Sequence, residues 1–162
     1  MTTSKRTLGM SVATGIFALA LPLAAALAAG SGSSTWTGSS SADSAMEAAK
    51  TAIAQYNYGE AQNYLQKVLA ATPDDVDALN LMGFTERKLG NPSGSLEYYN
   101  KALAQNPNHL GANEYLGELY LEMKDLEKAE ERLAVLQQAC GGSCEEYKEL
   151  KEKIDQFKST NG

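Results

Sequence analysis

A spacing of 34 residues recurs through the middle of the chain and constrains its fold more than any other feature. It separates Pro73 from Pro107 and Gly83 from Gly117. Three further registers with this spacing carry small or apolar residues: Ala61, Ser95 and Ala129; Leu65, Tyr99 and Leu133; Val68, Ala102 and Leu136. A fixed period of this length is typical of repeat proteins, in which each unit buries its apolar face only against its neighbours.

Within each unit the residue pattern predicts two helices joined by a turn. Apolar residues recur three and four positions apart, as on the buried face of a helix. The recurring proline ends the second helix, because it lacks a backbone N–H and restricts the residue before it. Asn91 followed by Pro92 indicates an N-cap and the first residue of a helix. We expect Gly83 and Gly117 to let the two helices of a hairpin approach closely.

Two runs at the recurring positions carry a more specific signal: Leu116-Gly117 followed by Tyr120, and Ser95 followed by Tyr99, Ala102 and Pro107. Both runs resemble the motifs of the tetratricopeptide repeat (TPR) family, whose unit is a 34-residue helix–turn–helix. The resemblance implies an all-α fold, an α-solenoid of three such units within residues 44–141. The individual units are expected at about 42–75, 76–109 and 110–141.

The segment 142–158 predicts a further helix that caps the repeats. Its apolar residues recur at helical spacing, and most of its other positions are Glu or Lys. A terminal unit of a solenoid needs one apolar face for its neighbour and one polar face for water, and this segment provides both. Ser143 and Glu146 have the spacing of a capping box at its start. Residues 159–162 are predicted to form a disordered tail.

The segment 1–28 has the pattern of a signal peptide. Lys5 and Arg6 precede an apolar stretch that ends in Ala26-Leu27-Ala28, which favours cleavage after Ala28. We therefore expect a periplasmic or secreted protein. If the leader were retained, the protein would instead be a membrane-anchored assembly factor. Residues 29–43 are rich in Gly and Ser and predict a flexible linker.

Charge and residue content argue against several classes of function. The formal charge of −6 becomes more negative once the leader is removed, which disfavours binding to nucleic acid and to anionic membranes. A single histidine, His109, leaves too few ligands for most His-based triads and metal sites. The chain carries no phosphate-binding glycine loop and no metalloprotease or nucleophile-elbow motif. We therefore expect no enzymatic activity, no cofactor and no metal.

The two cysteines, Cys140 and Cys144, flank Gly141-Gly142-Ser143 at the junction between the repeats and the capping helix. In an exported protein two cysteines this close predict a disulfide, here one that fixes the angle of the cap. A redox-active pair is the alternative, because Cys144 would lie in the first turn of a helix. On that interpretation the protein would be a periplasmic thiol–disulfide protein.

The TPR resemblance also implies a function, an exported protein–protein interaction module or scaffold. Its partner would be a peptide or protein bound on the concave surface that the first helix of each unit forms. Gly111 and Tyr115 occupy places where chaperone-binding members carry basic clamp residues, so the clamp is not expected here. Glu114, Glu118 and Glu122 are spaced four positions apart and stack on one helix stripe, which equally fits a solvated face. The partner-binding residues that the resemblance implies are Lys50, Asn80, Phe84, Arg87, Lys88, Glu114, Glu118 and Glu122.

Overall fold

The computed structural model describes residues 41–161, which form seven α-helices and no β-strand. The helices are α1 (Ser41–Ala54), α2 (Tyr58–Ala71), α3 (Val76–Lys88), α4 (Pro92–Gln105), α5 (Leu110–Glu122), α6 (Leu126–Cys140) and α7 (Glu145–Asn161). The expected all-α solenoid of helical repeats is confirmed. The predicted signal peptide and residues 29–40 of the predicted linker lie outside the described residues. None of the described helices is both long and apolar enough to cross a membrane.

Consecutive helices pack as antiparallel hairpins, α1 with α2, α3 with α4, and α5 with α6. The second helix of each hairpin also packs against the first helix of the next. Small buried side chains of the repeat, Ala61, Ser95 and Ala129, are fully inaccessible and lie in the three second helices. Each unit therefore covers the apolar face of its neighbour, which is the packing that the regular spacing predicts.

The first helix begins at Ser41, within the segment that was predicted as linker. Its inner face consists of Ala45, Ala49 and Ala52, all of which are buried. The first two belong to the same apolar cluster as Leu65 of α2 and other residues of α2 and α3. Burial of this alanine face stabilises the helix, so it extends into residues 41–43, which the composition assigned to the linker.

The last helix differs from the sequence prediction at both ends. It begins at Glu145, and the hydroxyl of Ser143 donates to the carbonyl oxygen of Cys140 at 2.8 Å, so the predicted capping box is not formed. It continues to Asn161, so residues 159–161, predicted as a disordered tail, form its last turn. The hydroxyl of Thr160 donates to the Gln156 carbonyl at 3.0 Å and so bonds back to the preceding turn.

The turn inside each unit repeats the same backbone conformation. Tyr56, Gly90 and Lys124 occupy one register of the repeat, and all have left-handed backbone angles, with φ of 61°, 81° and 61°. The next residue in each case is the N-cap of the second helix. Asn91 caps α4 as predicted, since its side chain accepts from the Gly94 N–H at 3.1 Å. The period of the sequence is therefore also the period of the backbone.

These turns give a first prediction about stability. Gly90 has no atom within 4 Å of an added Cβ, so Gly90→Ala should cost about 1 kcal/mol through the left-handed backbone alone. Lys124→Gly should stabilise the protein by about 0.5–1 kcal/mol, because it relieves the same cost in the third unit. Urea denaturation measures both changes. Lys124→Ala is the control: it removes the charge, keeps the Cβ, and should leave stability close to that of the wild type.

Candidate functional site

The C-terminal ends of α3, α5 and α7 enclose an open pocket of about 520 Å³. Four residues predicted to face a partner line it, and side chains of α7 complete it. The lining residues are Arg87, Lys88, Glu118, Leu121, Glu122, Lys153, Gln156, Phe157 and Thr160. Apolar surface from Leu121 and Phe157 is thus surrounded by charged and polar groups. This is the composition expected of a site that buries a side chain and orients it by polar contacts.

Arg87 joins two first helices across this pocket. Its Nη2 lies 2.7 Å from Glu118 Oε2, and its Nη1 lies 3.3 Å from Glu122 Oε1. Only 5% of the Arg87 side chain is exposed. The ion pairs therefore link α3 to α5 within the domain, and most of this guanidinium is not available to a partner.

Glu118 is bound from two sides. Lys153 of α7 donates to its Oε1, while Arg87 occupies its Oε2. Burial of Glu118 favours a higher pKa, but the hydrogen bond from Lys153 and the charge of Arg87 outweigh it and hold the pKa below its usual value. Glu118 is therefore an ionised carboxylate that connects three helices.

Glu114, one turn earlier on α5, has a different environment. It is 4% exposed, and its Oε1 is buried without a hydrogen-bond partner among the described residues. The carboxylate of Glu149, on α7, lies within 4.8 Å of those of Glu114 and Glu118. Burial and the hydrogen bond to Glu149 raise the pKa of Glu114 to about 8. Of the three predicted glutamates, one is thus neutral near pH 7, one is paired, and Glu122 is mostly exposed.

The three clustered carboxylates are the described groups that come closest to a metal-ligand set. Glu118 already carries two cationic partners, and the raised pKa of Glu114 favours a proton there. Glu149 is exposed. The chemistry of this set therefore suits a proton better than a divalent cation, which needs several free anionic oxygens.

Phe84 forms an aromatic surface with two tyrosines that sequence reasoning did not assign to the site. The Phe84 ring centroid lies 5.2 Å from that of Tyr115 and 6.2 Å from that of Tyr58. Lys88 Nζ lies 5.2 Å from the Phe84 ring centroid and makes no ion pair among residues 41–161. Tyr115 occupies a position where chaperone-binding TPR members carry a clamp residue, and this position is the one sequence signal for its place in the site. Tyr58 belongs to a second helix, which the prediction did not consider.

The remaining predicted residues lie apart from this pocket. Lys50 pairs with Glu47 at 2.9 Å on the surface of α1 and lines a different depression of about 340 Å³. Asn80 is buried between α3 and α5, where the absence of a side chain at Gly111 leaves room for its amide. The structure therefore brings four predicted residues together at the pocket and places Phe84 beside Lys88, but it leaves Asn80 and Lys50 apart from them.

The structure joins Cys140 and Cys144 as a disulfide, with Cα atoms 5.9 Å apart. The intervening Gly141 and Gly142 have φ of 64° and 74°, in the left-handed region. The glycines make this tight turn possible, because residues with a Cβ adopt such angles at a cost. The pair lies at the start of α7, whereas the pocket lies near its other end.

Residues 86–154 match the family model of the tetratricopeptide repeat. The chain is similar to the Sgt2 TPR domain from Aspergillus fumigatus, with a TM-score of 0.68 and 20% identity over 76% of this chain and 84% of that one. The fold is that of a tetratricopeptide repeat domain. The matched range runs from the last turn of α3 into α7, so the TPR pattern extends beyond the third hairpin into the last helix.

Two further structures similar to this chain contain peptides. One is the Yersinia enterocolitica type III secretion chaperone SycD in complex with a peptide of the translocator YopD (TM-score 0.64, 16% identity, 75% of this chain and 92% of that one). The other is the first TPR of Spaghetti (RPAP3) bound to an HSP90 peptide (TM-score 0.65, 19% identity, 74% and 94%). Among curated proteins the chain finds no match. At these identities the similarity shows the fold, since one fold hosts many functions.

Proposed function

We propose that this protein is an exported protein–protein interaction module whose TPR domain binds a peptide or a segment of a partner protein. The binding site is the pocket between α3, α5 and α7 together with the adjacent aromatic surface of Phe84. Peptide complexes of structurally similar proteins support this proposal. The observation that carries it is Lys88, an exposed cation beside Phe84 that makes no ion pair within the described domain.

The geometry divides the site between groups that build it and groups that are free to bind. Arg87 and Glu118 already form ion pairs that connect α3, α5 and α7. Phe84 offers part of its ring, and Leu121 and Phe157 offer apolar surface within the pocket. Lys88 adds a charge at the rim. A partner would therefore insert an apolar side chain and place a hydrogen-bond acceptor or carboxylate near Lys88.

Export is part of the proposal and rests on the leader sequence. Cleavage after Ala28 would give a mature chain that begins at Ala29, and mass spectrometry of the intact secreted or periplasmic protein measures this directly. We also propose that Cys140 and Cys144 stay oxidised there. A membrane-bound protein of full length would contradict the first part, and free thiols in that compartment would contradict the second.

Charge reversal at Lys88 tests the binding site. Lys88→Glu should weaken capture of partners from the periplasmic or secreted fraction by about tenfold, because it puts a repulsive charge at the rim. Lys67→Glu is a matched control: Lys67 also lies over a tyrosine ring, 5.0 Å from the Tyr64 centroid, but on α2, outside the pocket. Quantitative pull-down compares both variants with the wild type.

A photo-reactive phenylalanine at position 84 gives a second measurement. Cross-linked partners should appear with the probe at Phe84 and be absent with the probe at Asn100, an exposed residue of α4. Equal capture by Lys88→Glu and wild type, or equal cross-linking from both probe positions, would place binding elsewhere on the domain.

A further inference from the structure

The contact between α5 and α7 includes two carboxyl groups that face each other. Glu114 of α5 is buried, and Glu149 of α7 approaches it from the solvent side. Two ionised carboxylates at this distance would repel. Among the described residues, no cation forms hydrogen bonds to both of them. The nearest ammonium, that of Lys153, donates to Glu118. A proton between the two carboxyls removes the repulsion.

We propose that one proton, shared between Glu114 and Glu149, holds α7 against α5, so that docking of α7 weakens as the pH rises. The remainder of the α7 contact does not depend on that proton. Leu150 packs against Gly117, and Lys158 pairs with Glu130 of α6 at 2.5 Å. Loss of the proton therefore loosens α7 without removing its apolar contacts.

Charged and titratable groups reach the neighbourhood of Glu114 from every helix that packs on α5. Lys153 and Glu118 are the charges nearest to the pair, and Arg87 acts through Glu118. The helices α4 and α6 bring groups to adjacent positions of α5: Tyr99 lies beside Tyr115, with centroids 6.4 Å apart, and Arg132 donates to Asn113 at 3.3 Å. The cation of Lys153 favours ionisation of Glu114, whereas Glu118 and Glu149 oppose it.

The direction of the effect follows from the protons bound in each state. With α7 docked, burial raises the pKa of Glu114 to about 8, whereas an exposed glutamate titrates near 4.5. Between these values the docked state holds one more proton than the undocked state. The stabilisation is complete below about pH 4.5 and is lost as the pH rises through about 8.

Docking of α7 affects the shape of the pocket, because Lys153 and Phe157 form one of its walls. A looser α7 would open that wall, so pH would regulate partner binding. This consequence rests on the proposed function, whereas the shared proton itself does not.

Hydrogen exchange of the mature chain, without a partner, tests the shared proton. Protection of the α7 amides, corrected for the intrinsic pH dependence of exchange, should fall by up to about tenfold per pH unit as the pH rises toward 8. Glu114→Gln, which keeps the shape and cannot ionise, should have nearly pH-independent protection. Glu152→Gln is the matched control on the exposed face of α7 and should retain the wild-type slope.

Other results would overturn the proposal. An equal slope in Glu114→Gln and wild type would assign the pH dependence to other groups. Protection of α7 by calcium that is lost in Glu114→Gln would make the three carboxylates a metal site instead. If Glu114→Gln does not fold, carbon-13 NMR titration of the wild-type Glu114 carboxyl decides, and a midpoint near 4.5 refutes the shared proton. None of these measurements involves a partner, so failure of the proposed function would be seen separately, in the pull-down.

Discussion

Replacing Gly83 with alanine should destabilise the domain by about 2 kcal/mol, although alanine is the better helix former. A Cβ at this position would lie 2.6 Å from two carbons of the Tyr99 ring, closer than side chains approach in folded proteins. Tyr99 is fully buried and belongs to an apolar cluster with Leu116 and Leu119, so its ring has no free space to enter. The clash must therefore move α3 and α4 apart.

A double-mutant cycle separates this clash from a general effect of alanine. Tyr99→Leu shortens the side chain and is itself costly, because it leaves a cavity in the core. In that background Gly83→Ala should cost less than half as much as in the wild type, giving a coupling energy of about 1 kcal/mol or more. Gly59→Ala is the control: this glycine of α2 has no atom within 4 Å of an added Cβ, and its replacement should be neutral or slightly stabilising.

Urea denaturation of the four members of the cycle gives the coupling energy. Additive costs, or a Gly83→Ala variant as stable as the wild type, would show that α3 and α4 adjust freely at this contact. Either result would contradict close packing as the reason for the repeated glycine.

The same register has a different neighbour in the third unit, and sequence reasoning did not anticipate it. The three atoms nearest to a Cβ at Gly117 all belong to Leu150 of α7, the closest at 2.5 Å. Leu150 lies one full repeat period after Leu116, so α7 takes the place of the first helix of a fourth unit. The spacing was present in the printed sequence, but the prediction treated α7 as a cap outside the repeat. Its polar outer face is consistent with both descriptions.

Helical periodicity identifies the face of a helix but not the depth of each side chain on that face. Glu114, Glu118 and Glu122 share a stripe, as their spacing predicts, yet their exposure differs because α7 covers only the first two. Their partners, Glu149, Lys153 and Arg87, all belong to other helices that are distant in sequence. Ion pairs across helices depend on rotamers and on the distance between helices, and a one-dimensional pattern contains neither.

Arg87 and Lys88 are adjacent in sequence, and the structure gives them opposite roles. Arg87→Ala should destabilise the domain by about 3 kcal/mol, because it removes a largely buried cation from Glu118 and leaves that carboxylate with Lys153 as its remaining partner. Lys88→Glu should change stability by less than about 0.5 kcal/mol, because the Lys88 side chain is exposed. Urea denaturation near neutral pH measures both.

The ion pair between Arg87 and Glu118 can be replaced as a unit to separate its structural role from partner binding. The double variant Arg87→Met with Glu118→Leu should recover at least half of the stability lost in Arg87→Ala, since neither buried charge is left without its partner. Removal of the exposed pair between Lys101 and Glu97 should cost less than about 0.5 kcal/mol and serves as the control. If the double variant regains stability and still captures the partner, Arg87 stabilises the pocket without contacting the partner. If it is stable but captures nothing, Arg87 or Glu118 contacts the partner directly, as the TPR resemblance implies.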